Sequence, residues 1–252
     1  MTLSQPLLPA GFRLIFHELV GSTNGEAKTL ARNGAAAGTV IWALQQTEGR
    51  GRRGHIWSSP PGNLYTSFIL RPGCTPEQAA QLGFVASLAI GDALAELAPD
   101  IGAPACKWPN DVLVGGRKIA GILVESEFGR DERVAFVIVG LGINLASAPS
   151  DTEFPATSIA GEGLPPPTPE AALGAVAKHF EIWLRRWREK GFGPARDVWR
   201  SRAVALGEQI RVRLETAILH GRFVDIDQHG ALLLETGGEL RCIPAGDVFP
   251  AR

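Results

Sequence analysis

The sequence has few cysteines, and their spacing argues against two kinds of cross-linked fold. Cys74, Cys106 and Cys242 are odd in number and far apart along the 252 residues. They form neither the paired framework of a small disulfide-rich domain nor a Cys-x-x-Cys metal pair. A reducing compartment, the cytoplasm, is therefore expected.

The chain also lacks a strong net charge and an unbroken apolar run of membrane-spanning length. Its formal net charge is −1, with 45% hydrophobic and 20% charged residues. A protein without a positive field has no general attraction for nucleic acid, so DNA binding is not expected. The apolar run nearest to spanning length, residues 134–146, contains Asn144 and two glycines, and Pro6 and Pro9 interrupt the N-terminus. Neither a membrane span nor a signal peptide is expected.

Three common catalytic motifs are absent. The sequence contains no GxxxxGK[ST] phosphate loop, no GxSxG nucleophile elbow and no HExxH or other closely spaced histidine set. Its five histidines are scattered, at positions 17, 55, 179, 220 and 229. If the protein uses ATP, it does not hold it as P-loop enzymes do.

The sequence does contain an alternation of strand-like and helix-like segments. Strands are predicted at residues 12–18, 39–44, 64–70, 111–114, 117–125 and 134–139. Helices are predicted at residues 23–32, 75–98 and 168–190, the first opening on a capping box of Thr23 and Glu26. From about Leu206 the pattern changes to five short strands separated by turn formers, typical of a small barrel. The predicted fold is α+β, a mixed sheet with flanking helices over residues 1–205 and a β unit over 206–252.

The first motif that could carry chemistry is GRGRRG, Gly49–Gly54, directly after a predicted strand. It satisfies GxGxxG, but a dinucleotide loop needs a helix next, and Pro60 and Pro61 prevent one. Glycines let backbone N–H groups approach an anion, and arginines grip phosphate or carboxylate through two parallel hydrogen bonds. A solvated basic turn is the alternative. Three arginines among three glycines favour an anion-binding loop.

Two further motifs follow the loop. Lys107–Asp111 (KWPND) forms a turn that can present Asn110 and Asp111 to a ligand, where the aspartate could help hold Mg²⁺ beside a phosphate. Lys118 enters an apolar run, where it either snorkels from the strand end or points its ammonium into a pocket. In Gly140–Asn144 (GLGIN), glycines at a strand end mark close approach to a ligand or a packed neighbour.

Together with Gln46–Glu48 and the segment 117–125, these motifs resemble those of bacterial biotin protein ligases in order and spacing. The last strands, ending in IPAGDV, look like that family's SH3-like domain. The resemblance implies a class II synthetase-like catalytic domain over residues 1–205 and an SH3-like domain over 206–252. It also implies an enzyme that makes biotinyl-5′-adenylate from biotin and ATP, with Mg²⁺, and biotinylates a lysine of a biotin carboxyl carrier protein. A lipoate or octanoate transferase of the same fold is the alternative, but it should lack both KWPND and the arginine loop.

The resemblance also implies a set of site residues, with Arg52 and Lys118 as the catalytic pair. The biotin-binding set is Ser22, Thr23, Asn24, Gln46, Gly49, Arg50, Gly51, Arg52, Lys118, Leu123, Gly140 and Gly142. The ATP-binding set is Arg52, Trp57, Lys107, Asn110, Asp111 and Asn144. Glu48 and His55 depart from the pattern of many relatives and leave the electrostatics of the loop open. Some relatives carry an N-terminal DNA-binding domain, which is not expected here because only about eleven residues precede the first strand; homodimerisation stays open.

Overall fold

The computed structural model describes residues 6–129 and 133–251. Its larger sheet has seven strands in the order β1-β2-β3-β7-β6-β5-β4. Only the β1–β2 pair is parallel, and every other neighbouring pair is antiparallel, so the sheet is mixed as predicted. The strands are β1 Arg13–Val20, β2 Thr39–Gln46, β3 Leu64–Leu70, β4 Ala105–Lys107, β5 Asp111–Val114, β6 Arg117–Phe128 and β7 Val134–Ile143.

Helices cover both faces of this sheet. They are α1 Thr23–Arg32, α2 Pro76–Ala80, α3 Leu82–Leu97, α4 Pro169–Lys190 and α5 Gly193–Ser201, with single 3₁₀ turns at Arg52–Gly54, Pro99–Ile101 and Ala160–Glu162. Successive residues of β2 point to opposite faces: Val40 joins the core beneath α3 and α4, and Ile41 joins the smaller core beneath α1. A strand covered on both faces reads as a continuous apolar run, which is what this segment shows.

Two helix predictions need correction, and two elements were not predicted. The N-cap of α1 is Ser22, not Thr23: Ser22 has extended backbone and its hydroxyl accepts a hydrogen bond from the Gly25 amide. The predicted helix at 75–98 is two helices, because the chain tightens at Gln81, whose amide donates to the Gln78 carbonyl only three residues back. The sequence reading missed α5 and the short strand β4. The cap correction matters most, since it releases the Thr23 hydroxyl for other contacts.

The segment Pro76–Leu97 is long and apolar enough to cross a membrane by length and composition alone, with a mean hydropathy of 1.3. However, 72% of this segment's most apolar window is buried inside the fold. It includes α3, which packs as a core helix against α4.

The C-terminal part forms a separate five-stranded antiparallel sheet, the predicted SH3-like unit. Its strands are β8 Gln209–Arg213, β9 Ile218–Ile226, β10 Leu232–Thr236, β11 Glu239–Ile243 and β12 Asp247–Pro250, in the order β11-β10-β9-β8-β12. The turn formers of the sequence predict these strands at residues 209–214, 217–226, 231–235, 240–243 and 247–249, and each observed strand begins and ends within one residue of those bounds. Gly237 and Gly238, both with positive φ, form the two-residue turn between β10 and β11.

Buried contacts join the C-terminal sheet to the larger unit. The Trp108 indole N–H donates to the Gly230 carbonyl at 2.9 Å, deep in the interior. The Phe84 ring of α3 packs against the same glycine and stacks edge-on with Trp199 of α5, their centroids 5.1 Å apart. These contacts bring strand β12 of the C-terminal sheet beside the KWPND turn.

Gly230→Ala should therefore destabilise the protein strongly. A Cβ at Gly230 would lie 2.6 Å from the Phe84 ring, and the residue has a φ of +91°. Overpacking and backbone strain together should cost about 2–4 kcal/mol of unfolding free energy. Gly238→Ala is the matched control, because Gly238 has a φ of +82° with nothing within 4 Å. It should cost only about 1 kcal/mol. Equal losses for the two variants in urea denaturation would show that the Phe84 contact does not hold the two sheets together.

Candidate functional site

A cavity of about 480 Å³ lies where strands β6 and β7 meet the 50–58 loop, the 149–156 loop and the C-terminal sheet. Arg52 and Lys118 both line it, although they come from separate segments. Every predicted site residue lines this cavity except Gly49. Gly49 packs behind it, where a Cβ would lie 2.4 Å from the Trp57 carbonyl oxygen.

One end of the cavity is lined by a network of neutral polar side chains, with the Glu125 carboxylate behind it. The Gln46 side-chain oxygen accepts from the Thr23 amide at 2.8 Å. Asn24 donates from Nδ2 to the Glu125 carboxylate at 2.8 Å and accepts at Oδ1 from the Ser67 hydroxyl at 2.6 Å. Such a network, with donors and acceptors fixed in place, suits a small polar ring rather than an ionic group.

The close approach expected at the GLGIN glycines is present, and the neighbours are side chains. A Cβ at Gly140 would lie 2.0 Å from Asn24 Oδ1, so only glycine leaves room for that amide. A Cβ at Gly142 would lie 2.4 Å from the Trp57 indole, and one at Gly121 would lie 2.7 Å from it. The glycines therefore let two ligand-facing side chains lie flat on β6 and β7.

Sequence reasoning missed Ser67, Glu125 and Asp247. Ser67 is fully buried within the run LYTSFIL, where a polar residue inside an otherwise apolar strand was the available signal. Glu125 belongs to a motif segment but was given no role. Asp247, on β12, reaches the site only through the docking of the C-terminal sheet, which no local pattern indicates.

The middle of the cavity holds a cluster of three charges, in which Lys107 and Asp111 are buried and Lys118 is half-buried. Lys118 Nζ lies 2.6 Å from Asp111 Oδ1, and Lys107 Nζ lies 3.3 Å from Asp111 Oδ2. Lys118 Nζ also lies 5.3 Å from the centroid of the Trp57 ring. The side chain of Lys118 is 25% exposed, so its ammonium points into the cavity and does not snorkel to bulk water. Two lysines and one aspartate leave this cluster with a net positive charge toward an incoming anion.

This arrangement does not favour the predicted Mg²⁺ position at Asp111. Both carboxylate oxygens already face ammonium groups. Within residues 6–129 and 133–251, no group of three or more His, Cys, Asp or Glu side chains could hold a metal ion. A magnesium ion here would have to be held mainly by the ligand that it accompanies.

The three arginines of GRGRRG point in different directions. Arg50 pairs with Glu48 at 3.3 Å, in an exposed contact that accounts for the acidic residue beside the loop. Arg52 donates from Nη1 to the Gly246 carbonyl at 3.1 Å and lies 3.5 Å from Asp247 Oδ1. Arg53, with a φ of +52°, turns toward Asp247 Oδ2. Arg50 and Arg52 line the cavity.

Arg52 is held in a desolvated position. Burial lowers the pKa of its guanidinium from the ordinary value, against the opposing attraction of Asp247. An arginine keeps its charge even so. Its positive charge is poorly hydrated and is therefore available to a ligand anion.

Comparisons with known proteins agree with this geometry. A family model described as Biotin/lipoate A/B protein ligase family matches residues 18–144, and one described as Biotin protein ligase C terminal domain matches residues 205–249. The chain is 43% identical to the biotin--[acetyl-CoA-carboxylase] ligase of Paracoccus denitrificans, over 90% of this chain and 96% of the relative. It is 35% identical to the enzyme of the same name from Mycobacterium tuberculosis, over 92% and 86%. It is similar in structure to the biotin protein ligase from Aquifex aeolicus in complex with biotin and ATP, with a TM-score of 0.78, 29% identity and coverage of 94% and 97%.

Asp111→Asn should destabilise the protein, because it leaves two partly buried ammonium groups without their carboxylate. We expect a loss of about 3 kcal/mol in unfolding free energy, measured by urea denaturation at neutral pH. Glu153→Gln is the control: it removes an ion pair to Arg213 whose glutamate side chain is 57% exposed. Such a pair contributes about 0–1 kcal/mol. If both substitutions cost the same, the Asp111 cluster is not the buried ion network described here.

Proposed function

The chain belongs to the biotin/lipoate A/B protein ligase family and is a biotin protein ligase, and on that premise we propose how its residues share the reaction. It uses ATP to form biotinyl-5′-AMP and transfers the biotinyl group to a lysine of a carboxylase carrier protein. The observation that carries the residue roles is that Arg52 and Lys118 line one cavity, which ends in a neutral polar network. A lipoate or octanoate ligase is not favoured, because both KWPND and GRGRRG are present and the relatives are named for biotin.

We propose that the neutral end of the cavity binds the biotin head group. The ureido ring carries two N–H donors and one carbonyl acceptor, and it is matched by the side chains of Ser22, Thr23, Asn24 and Gln46. Leu123, Gly140 and Gly142 form the wall beside it, where the two glycines leave room for the Asn24 amide and the Trp57 indole to lie against the sheet and border the space for the ring. The valerate chain then runs toward the charged middle of the cavity.

The charged middle is suited to bring two anions together. A biotin carboxylate oxygen forms a bond to the α-phosphorus of ATP, the bond from that phosphorus to the bridging oxygen breaks, and diphosphate leaves. Lys118 offsets the repulsion between the carboxylate and the phosphate and stabilises the charge that develops. Asp111 holds Lys118 before the ligands arrive, so little reorganisation is needed at the moment of reaction.

Arg52 and the loop that carries it protect the product of that step. The acyl-adenylate is reactive, so water must be kept from it until the acceptor lysine arrives. The amine of the acceptor then attacks the acyl carbon, an amide bond forms, AMP leaves and the amine loses a proton. We propose that Arg50, Gly51 and Arg52 cover the carboxyl and phosphate groups during this interval, with Gly49 allowing the close turn behind them.

The nucleotide is assigned to Trp57, Lys107, Asn110 and Asn144. Backbone carbonyls fix both amides: Asn110 Nδ2 donates to the Ile122 carbonyl at 2.8 Å and Asn144 Nδ2 to the Thr157 carbonyl at 3.0 Å. Their oxygens are therefore presented in fixed directions. Mg²⁺ bound with ATP would neutralise the triphosphate charge.

We also propose the domain boundaries, the cellular location and the oligomeric state. The catalytic domain is residues 1–205 and the SH3-like domain 206–252, supported by two sheets that do not share a strand. A cytoplasmic location is supported by the unpaired state of Cys74, Cys106 and Cys242. The net charge of −1 gives no support to DNA binding, and the buried state of α3 gives none to membrane binding. Strand β1 is an edge of the larger sheet with Leu19 57% exposed, which supports homodimerisation.

Lys118→Ala tests the activation step. In an assay of ATP-dependent biotin incorporation into a carrier domain, kcat/KM should fall about 10²–10³-fold, because a preorganised charge at the developing oxyanion is lost. Arg117→Ala is the control: the neighbouring side chain is 45% exposed and pairs with Glu162 away from the cavity. It should stay within about twofold of the parent. The parent protein itself must label the carrier only when ATP is present. If Lys118→Ala labels as fast as the parent, the role of Lys118 is refuted.

Arg52→Ala tests retention of the intermediate. The variant should still form biotinyl-5′-AMP but release it at least about tenfold faster, since one charged contact to a desolvated phosphate or carboxylate is lost. Release is followed by rapid gel filtration of enzyme loaded with labelled adenylate. Arg53→Ala shares the loop and the Asp247 contact but does not line the cavity, and it should retain the adenylate like the parent. Equal retention by the Arg52 variant and the parent would contradict the assignment.

A further inference from the structure

We propose that Glu125 and Ser67 are positioning residues that fix the direction of the hydrogen bonds at the head-group end, so that the Thr23 hydroxyl offers biotin only an acceptor. The inference rests on the proposed function, because it places the ureido ring beside Thr23. Neither Glu125 nor Ser67 lines the cavity, so both act through residues that do. The hydrogen-bond contacts of four side chains, taken in order, fix this direction: Asn24, Ser67, Thr23 and Gln46.

The first contact fixes the Asn24 amide. Its Nδ2 group donates to Glu125 Oε2 at 2.8 Å and to the Leu123 carbonyl at 3.3 Å. A carboxylate and a backbone carbonyl are both acceptors without a proton to give. If the amide were turned over, its oxygen would face two other oxygens. Asn24 Oδ1 must therefore face Ser67.

The second contact fixes the Ser67 hydroxyl. Its oxygen lies 2.6 Å from Asn24 Oδ1 and 2.8 Å from Thr23 Oγ1, in a fully buried position. A hydroxyl has one proton, and Asn24 Oδ1 can only accept. Ser67 therefore donates to Asn24. Its contact with Thr23 must use the proton of Thr23.

The remaining contacts keep the Thr23 proton inside the protein. The other polar neighbour of this hydroxyl is Gln46 Oε1 at 3.1 Å, which is also an acceptor and already receives the Thr23 amide. The Gln46 amide is fixed in turn, because its Nε2 group donates to Ser59 at 2.9 Å. The two acceptors available to the Thr23 proton, Ser67 Oγ and Gln46 Oε1, both belong to the protein. The hydroxyl can therefore offer a ligand in the cavity only its lone pairs. A ureido N–H matches them, whereas an oxygen at the same place would be repelled.

A reciprocal exchange of side chains separates this role from a merely structural one. Asn24→Asp sets a carboxylate against Glu125 and should raise the KM for biotin at least about tenfold, while Glu125→Gln alone should raise it about three- to tenfold. The double variant restores a donor–acceptor pair, because the introduced glutamine amide donates to the introduced aspartate, which still accepts from Ser67. Its KM for biotin should return to within about threefold of the parent. KM for ATP and kcat should change little in all three.

A matched control uses Glu127, which follows two residues later on β6 and pairs with Arg32. Glu127→Gln should not rescue Asn24→Asp. The proposal is supported if Glu125→Gln rescues Asn24→Asp and Glu127→Gln does not. Additive losses in the double variant, or equal rescue by Glu127→Gln, overturn it.

A second measurement needs no substitution and decides the matter even if the variants fold poorly. In each of the two cyclic carbamate analogues of biotin, a ring oxygen replaces one ureido N–H with little change of shape. The parent enzyme should bind one of them at least about thirtyfold more weakly than biotin, because two acceptors then meet. Equal affinity for both carbamates and biotin overturns the fixed acceptor while leaving the ligase function intact. An absence of any saturable dependence on biotin would instead refute the proposed function, and the inference with it.

Discussion

The contact on which the site depends is the Asp111 carboxylate held between Lys107 and Lys118. An enzyme that joins a carboxylate to a phosphate needs positive charge in a desolvated place, yet unpaired buried ammonium groups would destabilise the ligand-free protein. One aspartate between two lysines reconciles these demands, since it pairs both and leaves a net positive charge. The geometry follows from the β5–β6 hairpin, which pairs Lys118 with Leu113, two residues after Asp111 on β5.

Glycines on strands β6 and β7 set the shape of the cavity. At Gly121, Gly140 and Gly142 the missing side chains let Trp57 and Asn24 lie against the sheet. Trp57 and Asn24, which come from other segments, thus cover the backbone of these glycines and form part of the surface that faces the ligand. The sheet can therefore carry an open pocket on one face while the core on its other face stays close-packed.

The C-terminal sheet contributes directly to the catalytic cavity. Gly246 and Asp247 hold Arg52, and Phe249 lies 5.8 Å from the Lys107 ammonium. The Arg52 guanidinium, which lines the cavity, is therefore oriented by a unit about 195 residues away in sequence. Loss of the hydrogen bond between Trp108 and Gly230, which joins the C-terminal sheet to the larger unit, would therefore displace Arg52 and impair the reaction.

Local signals gave much of the fold. Period-two apolar patterns and turn formers predicted all five C-terminal strands and the β5–β6 hairpin, because register and turn chemistry depend on neighbouring residues. The same local reasoning misplaced the cap of α1, since Ser22 and Thr23 are both common capping residues. The structure separates them: Ser22 accepts from the Gly25 amide, and the Thr23 hydroxyl contacts Gln46 and Ser67. The break at Gln81 and the helix α5 also depend on packing that no short window of sequence contains.

The sequence by itself determined the fold class, the order of elements and which charged and glycine-rich motifs carry chemistry, because period, capping and turn residues act over a few positions. Only the tertiary structure decided what those residues do together. It paired Asp111 with two lysines at a position where the sequence allowed contact with the Mg²⁺ of ATP, turned Arg53 away from the cavity and brought Asp247 into contact with Arg52. It also placed Thr23, Ser67, Asn24 and Glu125 in one chain of hydrogen-bond contacts. Hydrogen-bond polarity and charge compensation depend on distances between atoms, and the chain sets those distances only when it folds.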